Sequence, residues 1–139
     1  MFPANILLLS SDETETRRWI DILQEHVVLT KVRDRAELRN ALEGGDFDAL
    51  LCAWSYYERT WNDVLKTVQE IRPDLPVILF SRVGGEREWV QAIEAGAFDL
   101  LSAPYYWKST VLPVLEQAVD SCEARRRLHS VSQPLAQVV

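Results

Sequence analysis

The stretch that most constrains this chain is Phe47-Asp48-Ala49-Leu50-Leu51-Cys52-Ala53-Trp54, entered from the glycine pair Gly44-Gly45 and left through Ser55-Tyr56-Tyr57. A strand with one wet face alternates apolar and polar residues. A continuous apolar run bounded by turn residues instead suits a strand covered on both faces, as in a parallel sheet between helical layers. Open α/β sheets place their chemistry where strands end at the carboxyl side. Here that position is Ala53, whose side chain is a methyl group.

The rest of the chain repeats one alternation. Ile6 to Ser10 is a first strand, and Asp12 with Glu15 three residues on is a capping pattern. Trp19, Ile20, Ile22 and Leu23 then form the apolar face of a helix reaching about Glu25. Val27 to Val32 is a β-branched second strand. Asp34 with Glu37 opens another helix, striped by Ala36, Leu38, Ala41 and Leu42 and ended by Gly44-Gly45. After the central strand, Trp61, Val64, Leu65 and Val68 fall at helical spacing, with Pro73 as a stop.

Val77 to Ser81 is the fourth strand. Gly84-Gly85 leads to a helix from about Glu86 to Ala95, closed by Gly96. Leu100 to Ser102 is a short fifth strand ending at Ala103-Pro104. The last helix begins near Ser109, carries Val111, Leu112, Leu115 and Val119, and is expected to end near Leu128. Residues 1–128 then form one domain, and 129–139 a tail or the start of a linker. Five strands alternating with five helices through short connections predict an α/β fold, a doubly wound parallel sheet with right-handed crossovers.

Composition narrows the function. At 139 residues with 47% hydrophobic side chains, the chain can bury the core of one domain. Its formal charge of -6 argues against nucleic acid as a direct partner, because phosphate neutralisation needs a basic stripe. The densest basic cluster, Arg125-Arg126-Arg127, falls at the expected end of the last helix, where the dipole alone favours cations. Cys52 and Cys122 have no metal-ligand spacing and are expected to be free thiols in a reducing compartment. No stretch has the length of a signal peptide or a membrane span, so the expected address is cytoplasmic. His26 and His129 suggest no catalytic pair, and no nucleophile-base constellation is visible; a non-enzyme without cofactor or metal is expected.

Taken together, these elements resemble a receiver domain of two-component signalling, the CheY-like response-regulator module of phosphorelays, over roughly residues 4 to 128. The most specific part is Pro76-Val77-Ile78-Leu79-Phe80-Ser81 followed by Glu94-Ala95-Gly96-Ala97-Phe98-Asp99-Leu100-Leu101-Ser102-Ala103-Pro104. Asp48 and Arg17 fit as well. The resemblance implies a flavodoxin-like sheet in the order 2-1-3-4-5. It also implies an acidic pair after the first strand, a phospho-accepting aspartate ending the third, a hydroxyl ending the fourth, and a lysine before a proline ending the fifth. In such a site the carboxylate is the phosphoryl nucleophile, and with the acidic pair it holds a hard divalent cation.

Carried over residue by residue, most of that set is missing. The acceptor position is Ala53, the lysine position is Ala103, and only Ser81 and Pro104 agree. The acidic pair falls on Ser11-Asp12 if the distance to Arg17 sets the register, which is preferred, or on Ser10-Ser11 if the end of the apolar run does. Leu100 stands where the family carries an aromatic switch residue. Asp48 sits at the far end of the central strand, about 17 Å from Ala53 at the usual rise per residue, and Glu58 and Asp63 lie beyond the following loop. The expectation is a pseudo-receiver without phosphoryl chemistry.

Aromatics gather where the charge is missing. Trp54, Tyr56, Tyr57 and Trp61 follow the third strand, and Tyr105, Tyr106 and Trp107 follow the fifth, seven of the chain's thirteen aromatic residues. Trp54 and Trp61 are expected in the core. The loop tyrosines and Trp107 are expected to contact a protein partner, a signalling protein or an output domain. A second surface, on the fourth helix, fifth strand and fifth helix, would carry Trp89, Val90, Ile93 and Val111 and support a homodimer. The alternative is a small-molecule or flavin-binding sensor with the aromatics stacked on a ring. Against it stands Ser10-Ser11-Asp12-Glu13-Thr14, whose two acids would repel a phosphate.

Overall fold

The computed structural model describes residues 4–53, 61–81, 86–102 and 108–138, with side chains of the last segment described over 110–128. Five strands, β1 (Asn5–Leu9), β2 (Val28–Val32), β3 (Ala49–Ala53), β4 (Val77–Ser81) and β5 (Asp99–Ser102), alternate with five helices. These are α1 (Glu13–Leu23), α2 (Arg35–Gly44), α3 (Trp61–Ile71), α4 (Glu86–Glu94) and α5 (Lys108–Val138). All strand pairs are parallel and the order is β2-β1-β3-β4-β5. The flavodoxin-like topology expected from the sequence is therefore the one observed.

The central run is apolar because both of its faces are covered. Leu50 and Cys52 point with Leu7, Leu9, Val77 and Leu79 into a core shared with α2, α3 and α4. Ala49 and Leu51 point with Ile6, Leu8, Ile78 and Phe80 into a second core beneath α1 and α5. Strand β2 lies at an edge and reads accordingly: Val32 is buried, while Val28 is 48% exposed. Burying two apolar faces of one sheet supplies the main driving force for the fold, at roughly 25 cal/mol per Å² of apolar surface removed from water.

Local signals set the helix ends. The Asp12 carboxylate accepts from the amides of Thr14 (2.9 Å) and Glu15 (3.3 Å), capping α1. Asp34 accepts from the Glu37 amide at 2.9 Å while Glu37 accepts from the Arg33 amide at 2.7 Å, a reciprocal arrangement that starts α2. Helix α4 ends as the sequence predicts. Gly96 adopts φ 108°, the Gly96 amide donates to the Ile93 carbonyl and the Ala97 amide to the Ala92 carbonyl, closing the helix in a left-handed turn.

One boundary differs. The last helix does not end near Leu128 but continues to Val138. Arg125-Arg126-Arg127 therefore lies inside a helix rather than at its C-terminus, and the dipole does not account for these cations. Packing against the sheet carries α5 well past its first turns: Val111, Leu115, Ala118 and Cys122 are all buried, one residue per turn along a single stripe.

Candidate functional site: the carboxyl edge of the sheet

Register decides which residues meet at the carboxyl edge. Leu9 pairs with Cys52, so Ser10, one residue on, is level with Ala53. Ala53 pairs with Phe80, and Ser81 pairs with Ser102. On β1, β3, β4 and β5 the described part of the edge is thus built from Ser10, Ala53, Ser81 and Ser102, three hydroxyls and a methyl, with Arg33 level with Ser10 at the end of β2. Ser10 and Ser81 are buried, Ala53 is half-buried against the α1/α5 core, and Ser102 is exposed.

This register also bears on the two alignments open at the sequence level. The Ser10 amide continues the ladder by donating to the Val32 carbonyl, which brings Ser10-Ser11 to the strand end. Asp12 lies a residue further and spends its Oδ1 on the α1 amides. Ser11 is exposed beside it. Of the residues in the two alignments, Ser10 is the one level with Ala53, and Asp12 lies two residues beyond it in the helix cap.

Asp48, weighed as a substitute carboxylate, is committed elsewhere. It lies before β3 at the opposite edge, where Oδ2 accepts from the Asn5 amide at 2.8 Å and Oδ1 pairs with Arg126 Nη1 at 3.3 Å. Asp63 sits in the first turn of α3. Among the described residues, no group of three or more His, Cys, Asp or Glu side chains is placed to hold a metal ion. Ala103, Pro104, Tyr105, Tyr106 and Trp107, with Trp54, Tyr56, Tyr57 and Glu58, lie outside the described residues.

Of the surface expected on the fourth helix, fifth strand and fifth helix, part is exposed and part is not. Trp89 is 45% and Val90 39% exposed, and Trp89 Nε1 donates to Asp99 Oδ1 at 3.0 Å, tying α4 to β5. Ile93 is half-buried. Val111 is fully buried in the α1/α5 core, so it does not belong to that surface; its position on the inner stripe of α5 places it against the sheet. Trp61, expected in the core, is there at 7% exposure.

Beyond the edge itself, an open groove of about 620 Å³ runs between the start of α1 and the end of β2. It is lined by Ser10, Ser11, Arg17, Lys31 and Arg33, among others, with Glu13, Asp21 and Glu37 offsetting the cations. Both cysteines are free, and burial pushes both thiols up from their ordinary value.

The architecture and strand order define the class: this is the fold of response-regulator receiver domains. The signal receiver domain of an HD domain-containing protein from Pseudomonas fluorescens superposes with a TM-score of 0.77 at 22% identity, covering 89% of this chain and 99% of that one. Full-length FixJ from B. japonicum matches with a TM-score of 0.81 at 19% identity, over 99% of this chain and 68% of that chain. In sequence, the chain is 28% identical over 99 residues to the response regulator protein PilR of Pseudomonas aeruginosa. That similarity spans 70% of this chain but only 22% of PilR. No family model matches the sequence.

Proposed function

We propose that the chain is a pseudo-receiver: a response-regulator receiver module of two-component signalling that accepts no phosphoryl group and acts by binding a protein partner. One observation carries this reading. At the carboxyl end of β3, where a receiver places its nucleophile, stands Ala53, level with the hydroxyl of Ser10. A methyl group cannot attack phosphorus, and neutral hydroxyls are weak ligands for a magnesium ion that must surrender part of its water shell.

With the switch chemistry gone, what remains of the module is its surface. Trp89 and Val90 form an exposed apolar pair on α4, the kind of feature found at protein contacts. The tyrosines after the third and fifth strands are the second candidate surface. The module performs no catalysis of its own and needs neither metal nor cofactor.

The test is incubation of the chain with magnesium and a small phosphodonor such as acetyl phosphate, followed by intact mass. The expected spectrum shows no phosphoryl adduct. An adduct discharged by hydroxylamine, as an acyl phosphate is, refutes the reading. Binding is tested separately by pull-down with the purified chain as bait: Trp89→Glu, or Tyr56→Ala with Tyr105→Ala, is expected to weaken capture of a response-regulator partner while leaving the melting temperature within a few degrees. If neither surface matters, the docking half of the proposal fails.

A further inference from the structure

Beneath the sheet, at the edge opposite Ala53, two arginines from opposite helical layers grip the same short loop. From the end of α3, Arg72 donates through Nε to the Leu42 carbonyl and through Nη2 to the Gly45 carbonyl, both at 2.9 Å, and its Nη1 lies 3.4 Å from Asp46 Oδ1. From α5, Arg126 donates through Nη2 to the Phe47 carbonyl and through Nη1 to Asp48 Oδ1. Asp48 is further pinned to β1: its Oδ2 accepts from the Asn5 amide, and its own amide donates to the Asn5 carbonyl at 2.7 Å.

The two sides of the Arg126 contact are unequally fixed. The loop side is held by backbone bonds to β1 and by Arg72, so it moves only if the sheet edge moves. The helix side is held differently. Among the described side chains the buried stripe of α5 ends at Cys122, and Arg126 is the next residue on that face, one turn later. Arg127 and Leu128 beyond it are exposed, Leu128 at 69%. Arg126 itself is 39% exposed, so water competes for its guanidinium.

We infer that the Arg126 contact with Asp48 and the Phe47 carbonyl is a latch that fixes where α5 leaves the domain, and that its rupture frees the helix beyond Ala118 without unfolding the sheet. In the latched state Arg126 sets the direction of α5 beyond Ala118. Released, that segment swings away from the Gly45–Asp48 loop. The inference does not depend on the pseudo-receiver reading, since it concerns the edge of the sheet remote from Ala53.

Cys122 reports the state of the latch, being buried one turn before Arg126, while Cys52 in the centre of the sheet reports global unfolding. The experiment is native-state alkylation of the full chain with peptide-resolved mass spectrometry, comparing Arg126→Gln with Arg125→Gln, whose parent side chain is exposed. Arg126→Gln is expected to speed Cys122 labelling about tenfold, equivalent to about 1.4 kcal/mol in the opening equilibrium, with Cys52 labelling unchanged. Asp48→Asn should produce the same selective rise. Equal acceleration of both cysteines means opening is global and overturns the proposal, as does an unchanged Cys122 rate.

Discussion

Truncating Trp19 to alanine is the sharpest test of how this sheet is held together. Trp19 is fully buried in α1, its ring centroid 5.1 Å from that of Phe80 at an interplanar angle of 58°. Phe80 is the β4 residue immediately before Ser81 and pairs with Ala53, so this contact supports the candidate site from behind. Deleting a buried tryptophan typically costs roughly 3–5 kcal/mol, of which about 1 kcal/mol belongs to the tilted aromatic pair. For a domain of this size the total stability is about 7–20 kcal/mol, so Trp19→Ala should still fold. Its melting temperature should fall by roughly 10–15 °C. Trp89→Ala is the matched control: the side chain is 45% exposed and its indole bond to Asp99 is open to water, so about 1 kcal/mol or less is at stake. Urea titration at fixed pH provides the comparison, with the midpoint expected to fall in Trp19→Ala and the slope to stay constant. A Trp19→Ala loss below about 1.5 kcal/mol, or no larger than that of Trp89→Ala, would show that the α1 layer is not packed as described.

Two further substitutions probe backbone and titration. Gly96→Ala forces a side chain into φ 108° and brings its Cβ within 2.8 Å of Gln69 Nε2. The side-chain amide can move but the backbone angle cannot relax, so a loss of about 1–2 kcal/mol is expected. Gly44→Ala, with nothing within 4 Å of the new Cβ, should be neutral or stabilising; equal losses at the two glycines would contradict the left-handed turn. Burial raises the Cys52 pKa above its ordinary 9.0, so the folded state keeps a proton that the unfolded chain releases. Stability is therefore level on this account below that pH and declines above it, by up to about 1.4 kcal/mol per pH unit. Denaturation of Cys52→Ala between pH 9 and about 10.5 should show a shallower decline than the parent; matching slopes would refute the assignment.

What could be read from the residues alone, and what could not, separates along a physical line. Strand positions were legible because burial on both faces writes a strand as an unbroken apolar run, and helix starts because Asp12 and Asp34 sit where free amides need an acceptor. The end of α4 was legible because few residues other than glycine tolerate the angle at Gly96. Ala53 at the site needed only the end of the third strand to be located. Each of these signals acts over a few residues.

Long-range pairing was not legible in the same way. Whether Ser10-Ser11 or Ser11-Asp12 stands beside Ala53 depends on the register of β1 against β3, a one-residue matter that local spacing cannot resolve. That Val111 faces inward and Trp89 outward depends on how α4 and α5 are rotated against the sheet. Arg126 looked like one cation in a run of three, and its distinction arises because the fold brings Asp48, 78 residues away in sequence, against that face of α5. Local free energies choose the elements residue by residue. The choice of which polar groups meet, and so which site and which latch exist, is made only when the two cores close over the sheet.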